Sequence, residues 1–468
     1  MPFLALWRES KVETMLFCAL IAGLAWAPFW LGSNRLFAWG VNGILFPALT
    51  ALYEMNLLMT GKPHPVGLRR LPASALMFSA IVLWIAIQMS PMIPASVVHP
   101  IWGMAQEALG RSLDATISVD HGETCIALIR LLTSASLFWL ALQFSRQALR
   151  ADLLLRAISL IVAAYSAYGL VLTAFFSGMI PFLDPVGEGV FVHATFVNHN
   201  NFATYAGLGL IVSGGLILCL FRNEVPATTN LRYRLAMFLE VTCRKGWFLL
   251  GVGLVTLAAL LGSGSRGGVL ATALGALALL ILSLSRRRGR RAERLEAIAL
   301  IAISLIAGLV FLGDLFIDRI KMTGLGDASR IAVYLITLRS VLDTPLLGFG
   351  YGTFADVFPM YRDQSISVMG VWDKAHNTYL EIFQGLGLVF GGALIASLGV
   401  IAVKCLKGAV ARGENATTPM IASAASVLVA VHALVDFSLQ IEAVALTYLA
   451  ILAAGCAQSE SSQLSLSD

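Results

Sequence analysis

Apolar runs of about twenty residues recur along the whole chain, separated by short connections that carry most of the basic residues. A helix of that length crosses a hydrocarbon core of about 30 Å. Lipid admits only segments that satisfy their own backbone hydrogen bonds. The pattern therefore predicts an all-α, polytopic helical membrane protein with about 12 transmembrane helices, near 15–32, 37–60, 71–90, 124–146, 157–180, 201–221, 247–263, 267–285, 297–313, 376–402, 419–437 and 439–456. Composition agrees, with 58% hydrophobic and 13% charged residues. So few charges could not cover a soluble surface, and a secreted, disordered or nucleic-acid-binding chain is excluded. The first run contains Trp26, Pro28 and Trp30 and lacks a small-residue cleavage site, so it reads as a retained span rather than a signal peptide. Six scattered cysteines form no CxxC or Cys/His spacing, so neither a disulfide framework nor a metal site is indicated.

Orientation follows from the basic residues. With a cytoplasmic N-terminus, 22 of the 32 lysines and arginines fall in inside segments and 9 in outside ones, with Arg130 within a span. Every inside segment contributes, so both termini are expected in the cytoplasm. The run from Arg286 to Arg294 reads as an anchor against anionic headgroups rather than a nucleic-acid patch. The outside then carries the long connections 91–123, 181–200 and 314–375. A loop as long as the last, with a helix of its own, points to a site on that face.

Several polar residues collect at this outer edge. Arg266 lies among Gly262, Gly264, Gly267 and Gly268, and an arginine fork with nearby backbone N–H groups suits phosphate oxygens. It could equally be an interfacial arginine reaching for headgroups. Arg330 opens a segment, capped by Asp327 or Ser329, whose Ile331, Leu335, Leu338 and Leu342 form one stripe at helical spacing. This predicts an amphipathic helix ending near Asp343, lying on the membrane or over the spans. Arg339, nine residues on from Arg330, belongs to the opposite flank. The Gly-x-Gly-x-Gly at 348–352 lacks a preceding strand and is not a nucleotide motif. His376 opens a span beside Asn377 and one turn from Tyr379, where an imidazole can take a proton from a hydroxyl or simply cap the helix. His193, His199 and Asn198, Asn200 and Asn201 form a further cluster, suited to sugar or phosphate hydrogen bonds or to capping, and poor as a metal site. Arg130 is a charge within a span, a functional mark by default. Asp436 and Glu442 flank the last outer turn and could each pair with an outer arginine.

The ordered set FVNHNNFATYAG, SGSRGGVLA, SRIAVYLITLRSVLDTPLLGFGYGTF, HNTYLEIFQGLGL and HALVDFSLQIEA resembles the O-antigen ligase and O-antigen polymerase family of bacterial membrane glycan transferases. The resemblance covers roughly residues 190–445, with a weak echo at ISVDHGETCIALIRLL. It implies a GT-C-type transferase that moves a glycan from undecaprenyl diphosphate to an acceptor hydroxyl on the periplasmic side of the bacterial inner membrane. The reaction would invert the anomeric carbon and need no metal or other cofactor. Arg266 and Arg330 would bind the diphosphate and His376 would activate the acceptor, with Asn377, Tyr379, His199, Asn198, His193 and Arg130 as substrate contacts. Tyr334 stands where many relatives have Trp. The acceptor would be lipid A core for a ligase or the growing glycan for a polymerase, and membrane lipids would be the remaining partners. On this reading residues 1–190 hold five spans, 191–456 form the ligase/polymerase-like core with the periplasmic loop 314–375, and 457–468 form a cytoplasmic tail. A transporter or lipid permease fits the same span count, but should place paired charges or broken helices near mid-membrane. The orientation predicts that single cysteines at Gly326 and Gly370, in a cysteine-free background, label from outside intact cells; labelling at Gly289 alone would reverse the topology.

Overall fold

In a computed structural model the described residues are 10–176, 191–224, 246–285, 328–366, 371–412 and 416–459, with a few single residues of the adjoining stretches. The expected span 297–313, the basic run 286–294 and the tail beyond Ser459 lie outside them. Every regular element described is helical. In chain order these are α1 (Lys11–Trp26), α2 (Leu36–Thr60), α3 (Pro72–Gln88), α4 (Ile101–Leu109), α5 (His121–Phe144), α6 (Ala148–Phe175), α7 (His199–Glu224), α8 (Trp247–Gly262), α9 (Arg266–Ser285), α10 (Ala328–Asp343), α11 (Phe354–Tyr361), α12 (Thr378–Ala411), α13 (Thr417–His432) and α14 (Glu442–Ala457). Six of them, α2, α5, α6, α7, α9 and α12, are long and apolar enough to cross a membrane by length and composition, and α3, α8, α13 and α14 are shorter apolar helices.

Local chemistry sets the ends. Ser10 caps α1 by accepting from the Glu13 N–H, and Asp120 caps α5 through the Glu123 N–H. Gly61, at φ +65°, ends α2, and Pro72 starts α3 at a position that needs no N–H donor. The centre of the bundle is α14, buried along nearly its whole length and packed on α5, α13 and α12. It is rich in alanine, and small residues let helix backbones approach where lipid gives no hydrophobic drive. One apolar core runs through α1, α2, α5, α6, α7, α9, α13 and α14, so the first half and the second half of the chain share it.

The helix expected over 376–402 runs on to Ala411 and is broken at Gly387, where φ is +76° and ψ +169°. A break strands carbonyls within the bundle, and they must find other donors. The segment after α10 supplies them. The Phe349 N–H donates to the Gln384 carbonyl at 2.9 Å and the Gly350 N–H to Gly385 at 3.1 Å, while the Leu388 N–H donates to Pro345 at 2.7 Å. From α3, Gln88 donates to Gly385 at 2.8 Å and Trp84 to Leu386 at 3.1 Å. The Gly-x-Gly-x-Gly motif is thus a structural insert, with Gly348, Gly350 and Gly352 all at positive φ. A Cβ on Gly350 would stand 2.3 Å from Ser118 Oγ, and one on Gly387 2.4 Å from the Leu346 carbonyl oxygen.

The apolar stripe of α10 is exposed, with Ile331 at 54% and Leu335 at 64%, while Val333 and Ile336 face a small core with Phe354 and Phe358. An exposed apolar stripe on a helix over the spans suits a membrane surface. Substitution by Ala at Gly387 should destabilise the protein by about 1–3 kcal/mol, the cost of a strained backbone. The same change at Gly392 in α12, where nothing lies within 4 Å, should be neutral or mildly stabilising. Thermal unfolding followed by size-exclusion chromatography checks the contrast.

Candidate functional site

The span expected over 419–437 ends at His432, five residues early, because the backbone turns at Ala433. The turn exposes carbonyls that the last residues of any helix leave without intrahelical partners. Donors from other elements converge on them. The Thr378 N–H donates to Ala433 at 2.9 Å and Thr378 Oγ1 to Asp436 at 3.0 Å. Asn377 Nδ2 donates to Leu434 at 2.9 Å, and Arg330 Nη1 reaches the Val435 carbonyl at 3.5 Å. Phe437 packs edge-on against the His376 ring, with centroids 4.9 Å apart. From a third direction Gly267, the residue after Arg266, lies against His432 and Val435: a Cβ there would stand 3.2 Å from His432 Nε2 and 3.3 Å from Val435 Cγ2. The turn after α13 therefore meets Arg330 and His376 directly and Gly267, the residue after Arg266, by packing, from segments far apart in the chain.

Each of the three sits at an element end. Arg266 is the first residue of α9, whose first turn is tightened by Ser265 accepting from the Gly268 N–H at 3.1 Å. A helix N-terminus favours anions there. Arg330 lies in the first turn of α10, and Arg339 is separate, paired with Asp363 at 3.6 Å. His376 has φ +52°, a conformation that β-carbon residues rarely adopt. It is held by Tyr334 Oη donating to its carbonyl at 2.9 Å and by the Trp372 and Phe437 rings. Strained residues of this kind cluster at active sites.

Behind the turn is a buried polar network that the sequence reading did not identify as a site. His432, Asp436 and Ser438 meet Thr204 and Asn201 of α7. Burial pushes the Asp436 carboxyl up to about 6, against the Phe437 N–H, the Arg330 guanidinium and Ser438, which pull it down. The resembling segment HALVDFSLQIEA contained three of these residues, but placing 419–437 in one span hid the turn that brings them together.

The other expected contacts are positioned differently. Arg130 is committed to the protein: its Nε pairs with Glu442 at 3.3 Å, its Nη2 donates to the Gln440 carbonyl, and its guanidinium lies 4.3 Å from the Trp39 ring centroid. Asn42 Nδ2 adds a bond to Glu442 at 2.7 Å. Asn377 caps α12 by accepting from the Leu380 N–H at 3.1 Å, and Tyr379 Oη donates to the Ala430 carbonyl at 2.9 Å. Their polar groups lock α12 to α13. Asn198 accepts from the Asn200 N–H at 2.8 Å at the start of α7, and His199 stacks on Phe191. His193 is buried in the segment whose Val192 N–H donates to Gly262, so it borders the turn that leads to Arg266. A cavity of about 550 Å³ opens beside the site between α3, α5, α12 and α14, with Arg130, Lys374 and Tyr379 towards one end and Phe138, Leu398 and Leu71 among its apolar walls. Among the described residues there is no cluster of His, Cys, Asp and Glu suited to a metal ion.

Residues 250–396 match the family described as O-Antigen ligase. The match runs from α8 into α12 and includes Arg266, Arg330 and His376. A search of curated proteins gives no match. The Arg130–Glu442 pair yields a prediction of its own. Arg130→Gln or Glu442→Gln alone leaves a largely buried charge without its partner and should destabilise by about 3–5 kcal/mol. The double variant should lose much less than the two single losses added together, as a double-mutant cycle of melting temperatures would show.

Proposed function

We propose, for a chain whose residues 250–396 match the O-antigen ligase family, that it transfers a glycan from undecaprenyl diphosphate to an acceptor hydroxyl. The observation that supports this best is the convergence of two arginines and one histidine on the turn after α13. In this reading Arg266 and Arg330 hold the diphosphate, their planar forks matching phosphate oxygens. His376 accepts the proton of the acceptor hydroxyl. That oxygen bonds to the anomeric carbon from the side opposite the diphosphate, and the bond from carbon to phosphate oxygen breaks with its electron pair on the leaving group. Configuration at the anomeric carbon inverts. The arginines supply the positive charge that the leaving diphosphate needs, so the step calls for no metal.

The strained backbone at His376 is consistent with this, because Tyr334, Asn377, Thr378 and Phe437 all fix the residue from which the imidazole projects. The adjacent cavity has apolar walls of the kind that suit a prenyl chain. Asn377, Tyr379 and Arg130 serve by holding the helices that carry the site, and His193, Asn198 and His199 border it. The charge asymmetry supports both termini in the cytoplasm and the site on the opposite face; for a GT-C-type protein of the bacterial inner membrane, as this reading takes it to be, that face is the periplasm. The acceptor is lipid A core or the growing glycan, in a core formed by residues 191–456.

Lys at position 266 or 330 loses the bidentate fork and should cost about 1.5–3 kcal/mol of transition-state stabilisation. Arg339→Lys should be mild, because Arg339 faces Asp363. His376→Ala and His376→Gln should each lower turnover by about 10²–10⁴-fold at normal protein levels. Glycan product per unit of membrane-inserted protein measures all of these. Equal, near-wild-type product from Arg266→Lys, Arg330→Lys and Arg339→Lys would mean that the arginines only anchor the protein to headgroups.

A further inference from the structure

His432 is 2% exposed, yet all its hydrogen bonds to described residues run through one nitrogen. Nδ1 lies 2.7 Å from Thr204 Oγ1 and 3.1 Å from Ser438 Oγ. Counting protons shows which arrangement keeps the most of these contacts bonded. Ser438 has one hydroxyl proton and gives it to Asn201 Oδ1 at 3.1 Å or Asp436 Oδ1 at 3.3 Å. Thr204 also has one, within reach of Ser438 Oγ at 2.9 Å, the Asn200 carbonyl at 3.3 Å and His432 Nδ1. Thr204 donating to Ser438 and accepting from His432 leaves every link from the imidazole to Ser438's acceptor bonded, whereas Thr204 donating to Nδ1 loses one, so the arrangement with the most bonds puts the imidazole proton on Nδ1. The chain of donors runs from His432 through Thr204 and Ser438 towards a buried carboxylate, and each bond polarises the next.

The consequence falls on the other nitrogen. Nε2 carries a lone pair and faces the first turn of α9, directly against Gly267 and one residue from Arg266. Arg330 reaches the carbonyl of Val435, three residues further on. A lone pair in this place repels a phosphate oxygen and calls for a ligand group with a proton to give. We propose that His432 is a substrate-binding residue whose Nε2 accepts a hydrogen bond from a glycan hydroxyl beside the two arginines, with Thr204, Ser438 and Asp436 as positioning residues that hold its tautomer. This rests on the glycan-transfer reading and extends it, because it adds a second histidine with a task different from that of His376. Gly267 is the condition for it, since a side chain there would cover the nitrogen.

Two measurements test the proposal. The protein has seven histidines, so 15N-histidine NMR of the whole protein in bilayers can identify the His432 ring by its loss in His432→Gln. The expected state is Nδ1 protonated and Nε2 bare, lost in Thr204→Val and restored in Thr204→Ser. A wild-type ring protonated on Nε2 overturns the proposal. The second measurement is transfer by purified protein, with lipid-diphosphate-linked glycan and acceptor extracted from the source cells. Asn at 432 places an amide where Nδ1 was, and Gln places one where Nε2 was. His432→Asn should raise the glycan KM about tenfold, the loss of one hydrogen bond, while His432→Gln keeps more of the affinity. A near-wild-type KM in His432→Asn, with Gln the worse variant, would make His432 a purely internal support and overturn the proposal. Wild-type protein that transfers no glycan contradicts the underlying reading instead, whatever the NMR result.

Discussion

The carbonyls left open where α13 ends are the feature on which the site depends. Carbonyls just beyond a helix end have no intrahelical donor and take theirs from other elements or from solvent. In this protein the donors come from two other places, the N-terminus of α12 and the first turn of α10, while the first turn of α9 packs against the same turn. A requirement of folding therefore becomes a means of assembly. The residues that answer it include or adjoin Arg330, His376 and Arg266, so satisfying the backbone also brings a base and two cations together.

The break in α12 has the same logic on a larger scale. Gly387 interrupts a helix that would otherwise pass straight through, and the loop segment 345–350, Trp84 and Gln88 take up the exposed backbone groups. The loop is thereby tied into the bundle rather than laid over it. That fixes where α10 ends, at the opposite end of the helix from Arg330. Broken helices are also a mark of transporters, but there the unwound backbone lines a binding site. Here the stranded Gln384 to Leu386 carbonyls are bonded to the protein itself.

Much of this was legible in the sequence. Apolar runs and caps gave the helices because lipid leaves the backbone so few choices, and the stripe in 331–342 located α10 together with its end at Asp343. The ordering of motifs pointed to the family that residues 250–396 match. What stayed hidden depended on contacts between distant segments. Arg130, expected as a substrate contact because a charge within a span is costly, also bonds to Glu442 and Gln440, more than 300 residues away. Asn377 and Tyr379, expected as substrate contacts, also donate to the Leu434 carbonyl of the turn and the Ala430 carbonyl of α13, which one sequence does not show. His432 drew no notice because hydropathy carries an apolar segment straight past a turn, and nothing in one sequence says that Thr204 lies beside it.

The account makes the turn after α13 the floor of a transfer site, with cations for a leaving diphosphate and a base for a hydroxyl. Its most direct test is chemical. Purified protein in lipid nanodiscs, supplied with a lipid-diphosphate-linked glycan and either lipid A core or a second lipid-linked glycan as acceptor, can be followed by mass spectrometry for product and free lipid diphosphate together. The account predicts that the two appear in equal amounts, without added metal, and only when an acceptor is present. Glycan that crosses the membrane or stays on its carrier, with no lipid diphosphate released beside either acceptor, would contradict it.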